Sequence, residues 1–291
     1  MPDAHVESSL YPEAVRERVS NALKRLSRTG ALPTLPAVAE AALVIARDPG
    51  ADVGELCEIL EADVGLAARM LRIANSTAPV RRRPICRLAD AVLEVGLRKT
   101  CDVLLAAGAR HLHDATSPLA EPLWNHALAT GLASAELARR TGLAEPEAAF
   151  LTGLLHDVGR IAYFLTDEVS LEVVDHLAES GEAGRIAAEH DWYGFDHAEA
   201  GAILGTEWGL AAEQCDAIRW HHSRANEPGE EALATLLGVA DWIAHRMGCG
   251  DSSRVPGTPA SLGSFGIDEE GLEPLLKQLL VSFARHRLVH A

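Results

Sequence analysis

Apolar side chains recur along this chain at intervals of three and four residues, the spacing of one helix face. Leu66, Met70 and Ile73 form one such stripe. The elements this predicts follow one another closely. A first amphipathic helix is expected over Pro12 to Arg28, ending near Gly30. Pro36 is placed to open a helix over Ala37 to Arg47, because its missing N–H costs nothing at the first helical position. Asp48-Pro49-Gly50 stops it. Asp52 with Glu55 has the form of a capping box, and Asp63 can cap the next helix, which ends at Asn75 to Pro79. Helices over Ile85 to Val95 and Lys99 to His111 complete the first half.

The polar, proline-containing stretch His113 to Pro122 predicts a boundary. We therefore expect an extension over residues 1–31, a helical bundle over 32–115 and a second helical domain over 116–291. Beyond the boundary, Leu123 to Arg140 reads as a long helix closed by Thr141-Gly142, and Pro146 opens another that runs to Phe164. Asp196 and Glu199 mark a capped helix start. Further helices are expected over Ala211 to Ser223, Glu231 to Met247 and Asp268 to His286, with Gly248 to Gly266 as a loop. No run alternates as a strand would, so the expected class is all-α.

Composition narrows the function. Apolar residues make up 48% of the 291 residues and aromatics only 4%, with Ala and Leu, both good helix formers, in the majority. The net charge of −16 opposes nonspecific nucleic-acid binding and a polybasic membrane anchor. Arg81-Arg82-Arg83 is the one basic run; a solvated loop explains it more simply than a phosphate or protein contact. Five separated cysteines with no CxxC pair fit reduced thiols rather than disulfides or a thiolate zinc site. The N-terminus has no basic region followed by an apolar stretch, and no apolar run reaches the length of a membrane span. A cytoplasmic location is expected.

The chemistry-bearing residues concentrate in the second half. Thirteen histidines exceed what packing an Ala/Leu-rich chain requires. At the centre stands Gly153-Leu154-Leu155-His156-Asp157-Val158-Gly159-Arg160. Burying a carboxylate in an apolar helix is costly without a partner, and a metal ion would be one. Imidazole nitrogen and carboxylate oxygen suit borderline divalent metals, and Asp157 can offer one oxygen to each of two ions. Arg160, three residues after Asp157, is placed to orient that carboxylate or hold a phosphate; a helix-end arginine offsetting the dipole is the equal alternative. Around this pair lie His126, His197, the tandem His221-His222, and Asp241 inside the apolar run Leu236 to Ile243. Each alone has a bland explanation: a packed core histidine, an exposed helix end, a buried salt bridge. The ordered set is hard to explain without metal.

That order, His, then His-Asp, then Asp, resembles the HD superfamily of metal-dependent phosphohydrolases. The wider pattern resembles the HDOD family of bacterial signalling output domains. It rests on Leu32-Pro33-Thr34-Leu35-Pro36, Met70 to Ser76, Gly153 to Ile161, Asp196 to Gly201 and Ala217 to His222. The resemblance implies primary metal ligands at His126, His156, Asp157 and Asp241. By analogy with two-metal relatives of the HD-GYP type, His197, His221 and His222 would hold a second ion. Two departures put catalysis in doubt. Ser223 to Gly229 replaces the Gly-Tyr-Pro signature after the tandem histidines, and Arg160 replaces the lysine common in catalytic relatives. If the site turns over, Asp157 and Arg160 would be its catalytic residues.

Histidine-rich, thiolate-free ligation favours iron, manganese, zinc or nickel over magnesium. The implied role is an output protein that regulates signalling partners by association. The alternative is a phosphohydrolase acting on a nucleotide-type signal. Implied partners are signalling proteins that supply the input and a phosphorylated nucleotide ligand. His5, His111, His113, His176, His190, His245, His286 and His290 carry no motif and read as surface or packing residues; among them His245 stands four residues after Asp241 on an expected helix.

Overall fold

In the computed structural model the described residues are 37–48, 50–62, 64–77, 85–112, 120–160, 182–193, 195–224, 232–250 and 257–290. The expected helix over Pro12 to Arg28, Pro36, the Asp63 cap and the Arg81 to Arg83 run lie outside them. Among the described residues there is no strand, and the chain is all-α. The helices are α1 (Ala37–Arg47), α2 (Val53–Glu61), α3 (Val64–Thr77), α4 (Leu88–Val95), α5 (Leu97–Leu112), α6 (Ala120–Thr141), α7 (Pro146–Leu155), α8 (Glu182–Tyr193), α9 (His197–Glu207), α10 (Ala212–Arg224), α11 (Ala232–Arg246) and α12 (Glu269–His290).

Local chemistry explains most boundaries. Asp52 accepts from the Glu55 N–H while the Glu55 carboxylate accepts from the Asp52 N–H, the reciprocal box that starts α2. Asp196 caps α9 through the Glu199 N–H. Gly142, at φ +69, follows the end of α6 in a backbone conformation that favours glycine. Three expectations change. Ile85 is not helical, because the Asn75 side chain holds both its N–H (2.8 Å) and its carbonyl (3.0 Å), so α4 starts at Leu88. The helix opened by Pro146 ends at Leu155; His156-Asp157 form a turn before helical residues resume at 158–160. The loop after α11 contains a 3-10 helix, Ala260–Phe265. Helix α8 had no counterpart in the sequence pattern.

The first half and the second share one apolar cluster. Leu56, Leu60, Met70 and Leu104 belong to it together with Trp124, Leu128, Phe150 and Leu154. Helix α5 makes the join by packing on α1 and on α7. A second cluster, with Leu137, Leu236, Ile243, Phe265 and Leu275, sits between α6, α11 and α12. Burial of each such side chain contributes roughly 1.5–3 kcal/mol.

Glycines set the close approaches at the centre. A Cβ on Gly153 of α7 would lie 2.8 Å from the Gly131 Cα of α6. A Cβ on Gly159 would overlap the His197 carbonyl oxygen at the start of α9. These contacts draw α6, the His156-Asp157 turn and α9 together; α10 and α11 also pack on α7.

Candidate metal centre

All seven side chains proposed as ligands converge on one buried region. His126 lies on α6, His156 and Asp157 on the turn after α7, His197 at the first position of α9, His221 and His222 late in α10, and Asp241 on α11. Asp157 is the hub. Its Oδ1 lies 3.4 Å from His156 Nε2, 3.3 Å from His197 Nε2 and 3.9 Å from His221 Nε2; its Oδ2 lies 3.9 Å from His126 Nε2. Asp241 Oδ1 stands 2.9 Å from His126 Nε2 and 3.7 Å from His156 Nε2. His197 Nε2 and His222 Nε2 face each other at 2.7 Å.

The imidazoles are held from behind. The Nδ1 of His126 contacts the Cys249 carbonyl (2.8 Å), that of His156 the Gly153 carbonyl (2.8 Å) and that of His221 the Ile218 carbonyl (2.6 Å). A carbonyl only accepts, so each Nδ1 donates and each Nε2 of a neutral ring is left as a lone pair aimed inward. His197 differs: its Nδ1 lies 2.7 Å from Glu189 Oε2, which also accepts the His197 backbone N–H at 2.9 Å. A carboxylate behind an imidazole fixes the ring and raises its basicity, as at many metal sites. Glu189 is fully buried on α8, and the sequence reading missed it.

Charge follows the same geometry. Burial works against the ionised form of Asp157, but its interactions with the neighbouring imidazoles of His156 and His197 outweigh it and hold its pKa well below the usual carboxylate value. Burial likewise opposes the charge on Asp241, and the neighbouring imidazoles, His126 first, outweigh it and again lower the pKa. His221 and His222 are kept neutral, by burial first and then by neighbouring histidines. His197 goes the other way: despite burial, the carboxylates of Glu189 and Asp157 raise its pKa well above the usual histidine value.

Two carboxylates and five imidazoles therefore meet where water is largely excluded. The Nε2 atoms of His156 and His221 are buried and make no hydrogen bond. Leaving a buried polar atom unpaired costs about 1–3 kcal/mol, and a cation would supply the missing partner. Nitrogen and oxygen ligands on one ion at about 2.1 Å lie roughly 3 to 4.2 Å apart. The separations between these imidazole nitrogens and carboxylate oxygens, 2.9 to 3.9 Å, fall in or beside that range. The donor set thus fits a divalent metal. Arg160 is 7% exposed and its guanidinium lies 3.4 Å from Asp157 Oδ2, which places it behind the carboxylate as an orienting group. His190 pairs with Asp196 at 3.3 Å. His245, read from the sequence as a surface or packing residue, is buried and lies close to His126 and Asp241. His5, His113 and His176 lie outside the described residues.

The HDOD domain model matches residues 32–224, about two thirds of the chain. The chain belongs to the HDOD domain family. A Geobacter sulfurreducens HDOD domain protein of unknown function superposes with a TM-score of 0.73 at 26% identity, covering 92% of this chain and 96% of that one. A candidate phosphohydrolase of Shewanella amazonensis SB2B shares the fold, with a TM-score of 0.72 at 23% identity over 97% of this chain and 100% of that one. An uncharacterized Treponema pallidum protein is 26% identical over 185 residues, 63% of this chain. The match spans only 36% of that relative's length. Among the described residues, no helix is long and apolar enough to cross a membrane.

Proposed function

We propose that this HDOD protein is a bacterial signalling output protein that holds divalent transition metal in a retained HD site and regulates partner proteins by association. The observation that carries the metal reading is the convergence of His126, His156, Asp157, His197, His221, His222 and Asp241 around buried Nε2 atoms that make no hydrogen bond. His126, His156, Asp157 and Asp241 would hold one ion, and Asp157 with His197, His221 and His222 a second. Iron, manganese, zinc and nickel suit this ligand set; two ions suit seven ligands better than one. Association with partners draws its support from the family and from the lack of a Gly-Tyr-Pro signature after His222.

A second reading is metal-dependent phosphoester hydrolysis of a nucleotide-type signal. It is favoured by Asp157, whose two oxygens face opposite ends of the cluster, and by Arg160 beside it. The chemistry a divalent ion supplies at such a site is activation of water near neutral pH and polarisation of a phosphoryl oxygen. In that reaction Asp157 would fix the relation between the two halves of the site. Arg160 would hold Asp157 in place and counter negative charge nearby.

The test uses tag-free protein and Asp157→Ala. The wild type is expected to carry stoichiometric transition metal that the variant loses. The loaded wild type is then assayed against cyclic dinucleotides, cyclic mononucleotides, nucleoside phosphates and an aryl phosphodiester. Metal without turnover supports the output role; turnover that needs Asp157 replaces it with the enzymatic one. A wild type that takes up no supplied metal overturns the metal site.

A further inference from the structure

We propose that His245 is a metal ligand, forming with His126 and Asp241 a cation position at the α11 end of the cluster. This rests on the metal reading above and adds a residue that the HD pattern does not include. His245 follows Asp241 by one helical turn, so both side chains leave the same face of α11. His245 Nε2 lies 3.7 Å from Asp241 Oδ1, the oxygen that also stands 2.9 Å from His126 Nε2. The His245 and His126 rings are 4.8 Å apart, centroid to centroid. One ligand atom from each of the three residues falls within 4.8 Å of the other two.

The loop that closes α11 fits this role. Its Gly248-Cys249-Gly250 segment folds back so that the Cys249 carbonyl takes the His126 Nδ1–H. Gly250, at φ +142, passes directly behind both rings: a Cβ there would lie 2.6 Å from His245 Nδ1 and 3.1 Å from His126 Nδ1. Only glycine lets the backbone press against the two imidazoles together. A histidine that merely filled the core would not require such a backing, nor sit 7% exposed on the carboxylate of a ligand set. The ion at this end would then be held by more protein ligands than the ion beside His222, which makes it the tighter of the two.

The experiment compares wild type, His245→Gln and His245→Glu as intact chains, each stripped and titrated with manganese(II) and cobalt(II). Bound metal, affinity and the cobalt ligand-field spectrum are recorded. His245→Gln keeps size without a good ligand and is expected to lose one equivalent, or to bind the tight ion at least tenfold more weakly, with an altered cobalt spectrum. His245→Glu, which returns a ligand oxygen, is expected to recover binding. A packing role would give the opposite order, since the neutral amide suits a buried site better than a new carboxylate. Unchanged stoichiometry, affinity and spectrum in His245→Gln overturn the proposal while leaving the metal centre standing. A wild type without metal overturns both.

Discussion

Glu189 shows what one buried carboxylate does for its neighbour. It takes both the backbone and side-chain N–H of His197 on one oxygen, and so fixes the ring that faces Asp157 and His222. Replacing such a partner of a metal-bound histidine typically costs 10- to 100-fold in metal affinity. Glu189→Gln is expected to weaken metal binding by that order, measured by competition with a chromophoric chelator; unchanged affinity would reduce Glu189 to packing. The seven proposed ligand positions could be picked out in the sequence by residue type and order, and the structure brings their side chains together. Glu189 could not, since eight residues separate it from His197 and no periodicity links the two. For the proposed ligand His245 the sequence offers one hint, its four-residue offset from Asp241, and no motif.

At the scale of helices, periodicity and caps were enough to locate α1, α2, α6 and α9 to within a few residues. They failed where a side chain overrides the pattern, as Asn75 does at Ile85, and at the His156-Asp157 turn, where the site interrupts an otherwise apolar helix. Gly159 is the tightest contact near that turn. Gly159→Ala would force the turn and α9 apart, and we expect a loss of about 1–3 kcal/mol in urea unfolding, with weakened metal binding. A stability equal to wild type would show that the approach is not needed.

The joint between the two halves carries its own titration. Burial, and then the charge of Glu147, raise Asp102 on α5 to a pKa of about 7, against the opposing charges of Arg139, Lys99 and Arg98. The folded state therefore keeps a proton that the unfolded chain releases above about 4, so this contribution to stability falls as pH rises from about 4 through about 7. Asp102→Asn is expected to flatten that part of the stability profile and to gain on the order of 1–2 kcal/mol at pH 8. An unaltered pH profile would contradict the assignment.

For the whole molecule, a metal bound at the proposed site would act as a staple. The proposed ligands come from α6, the turn after α7, α9, α10 and α11, spread over the chain from His126 to Asp241. A ligand bound only by the folded state stabilises it by about 2.7 kcal/mol at one hundred times its Kd. Chelation should therefore lower the melting temperature of the wild type and leave that of Asp157→Ala unmoved. The most direct check of the central claim is an anomalous difference map from metal-supplied crystals, recorded at the absorption edge of the metal. The account predicts a peak at about 2.0–2.3 Å from ligand atoms of His126, His156, Asp157 and Asp241. A clean map at those side chains, with metal present throughout crystal growth, would contradict it.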